Sequence, residues 1–262
     1  MKTGEEIKKH WESGAPTTKG KTIKLLEVGA LNCVFSATGL PIAKVLEVGC
    51  GEGRNLRSLA ELYPNYEFEG IDFAEHSLKK AEANEVPAVF HRGDVRELKL
   101  HPDLAPAYDI VFTDRCLISM SSAAEQMRVI QQIADKTKPN GHVFLIENFV
   151  ESHANQNWLR AAGGLPMREV PEYNLFLRIK EVIGWATAAG LVCAGTHEFG
   201  SLHDIVLYVL LPMIGVEPAY DHAVVQAAAA LTAPFPASNM FGNFGQNRMV
   251  MFRKEASCGS EP

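Results

Sequence analysis

"VLEVGCGEGRN", Val45 to Asn55, is an apolar run that breaks into glycines at 49, 51 and 53. A buried strand ending in such a turn offers bare backbone N–H groups to a ligand, so the fold and its ligand are decided together here. The dinucleotide fingerprint G-x-G-x-x-G/A accepts Gly49 and Gly51 but needs a small residue where Arg54 stands. Gly53 comes one place early, and Glu47 sets a carboxylate where a pyrophosphate would lie. The phosphate-loop pattern also fails, because no Gly-Lys-Ser/Thr follows. A ligand with a nucleoside, a cationic amine and no phosphate fits this turn better.

Working outward, residues 54–63 read as a helix with Leu56, Leu59 and Ala60 on one face, and 67–71 as a strand closing on Asp72. A helix over 75–84, a strand over 88–91 and the turn "RGDV" follow. A strand over 108–113 precedes a helix over 121–136 that turns Met127, Ile130, Ile133 and Ala134 inward. The turn "KPNG" then launches a strand over 142–147. Strand and helix alternating at this spacing imply βαβ units and a parallel sheet, an α/β fold. Past Glu147 the rhythm changes. Residues 148–176 are loop-rich, with Gly163, Gly164, Pro166 and Pro171. A helix over 178–189, a strand over 191–198, two apolar helical stretches within 201–245 and a last strand over 248–252 complete the reading, before a polar tail expected to fray. Ahead of the sheet, residues 4–12 and 21–36 read as helices, the second with Ile23, Leu26, Ala30 and Cys33 along one face.

A chain of 262 residues, 47% hydrophobic, can bury one large core. Its net charge of −6 argues against a dedicated nucleic-acid binder, which presents a basic face. Five widely spaced cysteines without a CxxC pair read as reduced thiols of a cytoplasmic protein. The charged start "MKTGEEIKKHWESG" is no secretory signal, and the longest apolar run, 205–215, falls short of the ~20 residues a membrane span needs. No His, Asp or Glu cluster has metal-ligand spacing, so no metal is expected.

"LEVGCGEGRN", "FEGIDFAEHSL", "RGDV", "YDIVFTDRCL" and "KPNGHVFLIE" occur in this order and at the distances found in one family. They resemble the class I S-adenosylmethionine-dependent methyltransferases over residues 44–147. The resemblance implies S-adenosyl-L-methionine as cofactor and a doubly wound, mostly parallel seven-stranded sheet whose last strand is antiparallel; the chain then divides into an N-terminal helical cover (1–40) and a methyltransferase domain (41–262) with a helical insertion at about 201–245. It also implies roles. Glu47 and the backbone of Gly49, Gly51 and Gly53 would lie against the methionine part, and Arg54 would pair with its carboxylate or else be a solvated helix residue. Asp72 would accept the ribose hydroxyls and Phe73 would pack on the adenine. Asp94 and Val95 would meet the adenine edge, unless Asp94 serves only its turn. Thr113–Arg115 would pass beside the sulfonium, with Arg115 either a substrate anion ligand or a salt-bridge residue, and Trp11 would either close over the cofactor or pin its helix to the core.

The methyl acceptor is less constrained. "IENFVESHANQNWLR" sets Glu147, Asn148, His153, Asn157 and Arg160 beyond the ligand-binding edge of the sheet, and "VPEYNLF" adds Tyr173 and Asn174. This stretch resembles bacterial methyltransferases that act on small polar metabolites or sugars. If the attacking atom is a hydroxyl oxygen, a base is needed, and His153 and His203 are the candidates by position. An O-methyltransferase of a small polar molecule is the favoured reading. A small-amine N-methyltransferase and a non-catalytic binding subunit are its rivals. The segment after "YDIVFT" is "DRCL", where enzymes that methylate DNA amino groups carry Asn-Pro-Pro-aromatic to grip a flipped base. The apolar run within 201–245 suits a lid over the acceptor or a homodimer contact.

Overall fold

The computed structural model describes residues 2–13, 21–234 and 241–256; the polar tail and Cys258 lie outside them. Its centre is a seven-stranded sheet. The strands are β1 (Lys44–Val48), β2 (Glu67–Asp72), β3 (Val89–Arg92), β4 (Tyr108–Asp114), β5 (Thr137–Asn148), β6 (Leu191–Glu198) and β7 (Asn247–Lys254). They run in the order β3-β2-β1-β4-β5-β7-β6. Strands β1 to β5 pair in parallel, and β7 lies antiparallel between β5 and β6. The order reverses between β1 and β4, which opens a crevice at the carboxyl ends of those two strands.

Alternation along the strands divides the core in two. Val45, Ile110, Phe112, Phe144 and Ile146 point to one face, where α2 (Lys21–Thr38) and α3 (Arg54–Leu62) bring Leu26, Leu31, Phe35, Leu56 and Leu59 against them. Leu46, Val111, Val143, Leu145 and Val250 point to the other, against Ile130 and Ile133 of α5 (Ala123–Lys136) and Val182 of α7 (Ile179–Ala188). A period of two residues forces this split: a strand covered on both faces needs apolar residues at neighbouring positions, as at Val45–Leu46 and Ile110–Phe112. Each fully buried Leu or Phe contributes about 1.5–3 kcal/mol of transfer free energy.

Several elements depart from the sequence reading. The "KPNG" turn is absorbed into β5, where pairing jumps from Tyr108–Thr137 to Ile110–His142 and Asn140 takes a positive φ of 62°. Met127 is exposed, since α5 ends its buried stripe at Gln126, Val129, Ile130, Ile133 and Ala134. The largest difference is α6 (Val150–Ala162), a helix in a region read as loop-rich. The breakers Gly163, Gly164 and Pro166 stop this helix; they do not prevent it.

Two helical layers lie over the crevice. On one side, α1 (Gly4–Glu12) starts with a Thr3–Glu6 capping box and is pinned by Lys2 Nζ to Glu172 (3.0 Å) and by His10 stacked on Tyr173 at 3.8 Å. On the other, between β6 and β7, α8 (Ser201–Ile205) passes through a π-turn (Val206–Leu210) into α9 (Leu211–Met213), and α10 (Ala223–Thr232) packs back on it. Val206, Leu207, Leu211, Val225 and Ala228 form their own small core. The apolar run thus packs mainly inward, leaving Leu210, Met213 and Ile214 on the surface.

Candidate active site

Two cavities open at the crevice. The first, about 410 Å³, is bounded by the glycine turn, Glu47, Asp72, Phe73, Val95, Asp114 and Arg115, with Trp11 and Lys24 reaching in from the helices above. The turn leaves β1 with Gly49, Gly51 and Gly53 all at positive φ (76°, 52° and 67°), a backbone path only glycine follows without strain. A side chain at Gly49 would meet Cys116 Sγ at 2.6 Å, whereas one at Gly51 would meet nothing within 4 Å. That bare backbone at Gly51 faces space a ligand can fill. Asp72 fixes the turn from below: Gly51 N–H donates to its Oδ2 and Ala74 N–H to its Oδ1, both at 2.8 Å. Burial pushes this carboxyl up, and the two backbone bonds pull it back.

At the other end of the cavity, charge is concentrated. Glu47 is 2% exposed; Asn55 Nδ2 donates to its Oε1 at 2.7 Å, and its Oε2 is buried without a partner. Burial pushes the Glu47 carboxyl up to about 8. Lys24 Nζ lies between Asn55 Oδ1 (2.9 Å), Asp114 Oδ2 (2.7 Å) and Glu27 Oε2 (2.9 Å). Arg115, at positive φ, pairs with Glu27 and with Asp114, and burial pushes its guanidinium down to about 9. An unpartnered carboxyl oxygen at one end of the cavity and bare glycine backbone along its floor suit a ligand with a cationic amine and a nucleoside.

Residues 45–141 match the family described as "Methyltransferase domain". A ubiquinone biosynthesis O-methyltransferase of Leptothrix cholodnii is 28% identical over 72% of this chain and 80% of its own length. A tRNA N(3)-methylcytidine methyltransferase of Schizosaccharomyces pombe is 26% identical over 61% of this chain and 68% of its own. The magnesium protoporphyrin IX methyltransferase structure from Synechocystis, with bound SAH, superposes at a TM-score of 0.56 over 96% of this chain and 94% of that one, at 15% identity. The chain carries a methyltransferase domain over residues 45–141 and has the fold of the S-adenosylmethionine-dependent methyltransferases. S-adenosylmethionine is its cofactor, and the first cavity has the residues to hold it.

The second cavity of this methyltransferase, about 370 Å³, adjoins the first: Trp11, Arg115 and Ser119 line both. Its wall is polar and aromatic. Asn148, Tyr173 and Asn174 line it. His10, Arg168, Asp204, Tyr208 and Tyr220 line it as well and carried no local signal, because α1, the 163–174 loop and the π-turn bring them together only in the fold. In the first cavity, Lys24 and Asn55 escaped the reading for the same reason.

Other expected site residues are placed elsewhere. Asp94 is turned away from the first cavity: it caps the 3-10 turn at Val95–Leu100 and pairs with Arg96, whose guanidinium holds its carboxyl low. Thr113 is fully buried and donates to Glu147 Oε1 at 2.7 Å. Glu147 lines neither cavity. It accepts from Thr113 and from the N–H groups of Cys116, Leu117 and Ile118, and so shapes the turn that carries Arg115 and Ser119. Arg54 is half exposed at the mouth of the first cavity and pairs with Glu52 at 2.9 Å. Asn157 binds the backbone of Arg168 in both directions (3.0 and 2.8 Å), and Arg160 donates to the carbonyls of Pro166 and Tyr208.

Neither histidine proposed as base reaches a cavity. His153 packs edge-on to Phe176, and burial pushes its imidazole down. His203 is fully buried, with Nδ1 on Asp204 Oδ1 at 2.8 Å and Nε2 on Thr22 Oγ1 at 3.3 Å. It lies behind the wall that Asp204 and Tyr220 form. His10 is the imidazole in that wall among the described residues. Those residues include one His/Asp group whose ligand atoms lie close together, His91, His101 and Asp103. It stands away from both cavities, and its ring nitrogens are engaged with Glu69, with the Arg92 carbonyl and with the Asp103 N–H. No helix among the described residues is long and apolar enough to cross a membrane.

Proposed function

We propose that this methyltransferase transfers its methyl group to oxygen on a small polar molecule bound in the second cavity. The observation that carries the reading is the shared wall: Trp11, Arg115 and Ser119 border both spaces, so a ligand in each would meet there. Bound S-adenosylmethionine supplies a methyl on a cationic sulfur, already primed to leave. The chain's own part is to orient the acceptor and exclude water, which is worth roughly 7–11 kcal/mol when the geometry is well held.

The residues around the junction suit that task. Trp11 places a large ring where both cavities meet, held there by the α1 contacts to Glu172 and Tyr173. His10, one residue away, is the proton acceptor best placed for a hydroxyl. Kinship with a ubiquinone biosynthesis O-methyltransferase supports an oxygen acceptor. The negative net charge and a cavity of this size speak for a metabolite over a nucleic acid, although one relative bears a tRNA methyltransferase name. The free cysteines of the described chain fit a cytoplasmic setting.

The test is label transfer. Methyl-labelled S-adenosylmethionine is incubated with the protein and with a cell extract separated into small molecules, RNA and protein. Label in a small molecule whose new methyl is bonded to oxygen by NMR supports the reading, and a new methyl on nitrogen or carbon overturns it. Label in RNA or protein overturns it.

A further inference from the structure

Arg168 holds a positive charge in the wall of the second cavity without a carboxylate to balance it. Its Nη1 donates to Gln156 Oε1 (2.8 Å) and Gln246 Oε1 (3.2 Å), and its guanidinium lies 3.5 Å from the centre of the Tyr208 ring. All three are neutral. The backbone of Arg168 is clamped by Asn157, so both ends of the residue are fixed. No ion pair to Arg168 is found among the described residues. The other arginine of the cavity, Arg115, is already matched by Glu27 and Asp114.

The surrounding charges do not cancel this excess. Asp204, the carboxylate nearest in the wall, is consumed by three donors: His203 Nδ1 (2.8 Å), Gln156 Nε2 (3.2 Å) and the Gln246 N–H (2.6 Å). Gln156 stands between it and Arg168. Glu169 is exposed. Arg160, close enough for Arg168 to disfavour its charge, bonds only carbonyls. Partly buried charges are normally paired, and a guanidinium fork matches a carboxylate best. One arginine in the cavity wall without an ion pair suits one negative charge, whereas a phosphate dianion calls for more than one cation in that wall. Asn148 Oδ1, buried in the same wall without a partner, needs a donor from the ligand.

We propose that the second cavity takes a small carboxylate that also bears a hydroxyl, with the carboxylate on Arg168 and a hydroxyl donating to Asn148 Oδ1. This rests on the reading above that the second cavity receives the acceptor. It goes further by naming the acceptor's charge and its anchoring residue.

The test is saturation-transfer NMR on the full chain loaded with S-adenosylhomocysteine. The probes are a set of aromatic and aliphatic hydroxy acids, each paired with its carboxamide. Expected binders are acids and not their amides. Arg168→Gln weakens them roughly tenfold to a hundredfold, the worth of a charge-assisted hydrogen bond, and Arg168→Lys weakens them less. Cofactor affinity, measured in parallel, shows that both variants fold. Equal binding of acids and amides overturns the proposal, as do acid binding unchanged in Arg168→Gln and a complete lack of acid binders. An acid that binds through Arg168 yet accepts no labelled methyl leaves the anion site standing and removes the acceptor reading instead.

Discussion

Asp72 Oδ2 accepts the backbone N–H of Gly51 at 2.8 Å, so the carboxylate that ends β2 also sets the shape of the turn that follows β1. Asp72→Ala removes that bond and the one to Ala74 while leaving their N–H groups half buried. Each such loss costs about 1–3 kcal/mol. The expected result is a fall in S-adenosylmethionine affinity of roughly tenfold or more, together with a melting temperature lower by about 2–4 °C per kcal/mol lost. Isothermal and scanning calorimetry check the two separately.

Gly49 and Gly51 are expected to differ although both hold positive φ. Gly49→Ala drives a methyl into Cys116 Sγ and adds left-handed strain of about 1–2 kcal/mol, so it destabilises the fold. Gly51→Ala carries the strain without the clash. Its methyl stands at the wall of the first cavity, so it should melt above Gly49→Ala and still bind the cofactor poorly. Equal melting temperatures would show that the Cys116 contact does not matter.

Much of this site is legible in the sequence because it follows from local order. A strand, a glycine turn and an acidic strand end lie within 28 residues of one another (45 to 72), and their pattern is set by the sheet itself. The strands follow from the same periodicity, and the antiparallel setting of β7 is what the family resemblance implies. The acceptor side is built differently. Arg168 is positioned by Gln156, Asn157, Tyr208 and Gln246, from three segments up to 90 residues apart (156 to 246), and none of these has a spacing that reveals the others. Glu147 and Arg160 were expected in the site for their charge. The fold uses both to tie backbone, because a buried charge with several backbone partners is the common way to stiffen a loop.

Glu47 provides a pH signature. Its carboxyl is raised by burial from 4.5 to about 8, so the folded protein keeps the proton over a range where the unfolded chain releases it. The unfolded state then binds fewer protons, and stability falls as pH rises from about 4.5 toward 8. Glu47→Gln keeps the shape and the Asn55 bond and removes this dependence. The variant should gain in melting temperature relative to the parent at pH 8 and gain nothing at pH 5. A difference independent of pH would place the ionised form in the fold.

His153 and His203 are expected to be dispensable as bases. Loss of a general base costs about 10²–10⁴ in rate. His153→Ala should change kcat by less than about tenfold. His203→Asn should act mainly on stability, since it breaks the buried bonds to Asp204 and Thr22. His10→Ala, at the wall of the second cavity, should lower kcat by about a hundredfold or more and leave cofactor affinity intact. Steady-state kinetics on an identified acceptor decide among the three.

The central claim is that the two cavities meet at Trp11, Arg115 and Ser119 and that transfer crosses this junction. A crystal structure with S-adenosylhomocysteine tests it most directly. The account expects the nucleoside beside Asp72 and Phe73 and the sulfur at the junction, facing the cavity walled by Asn148, Arg168 and Tyr208. A sulfur that faces solvent or the sheet, with the second cavity closed off from it, would contradict the account.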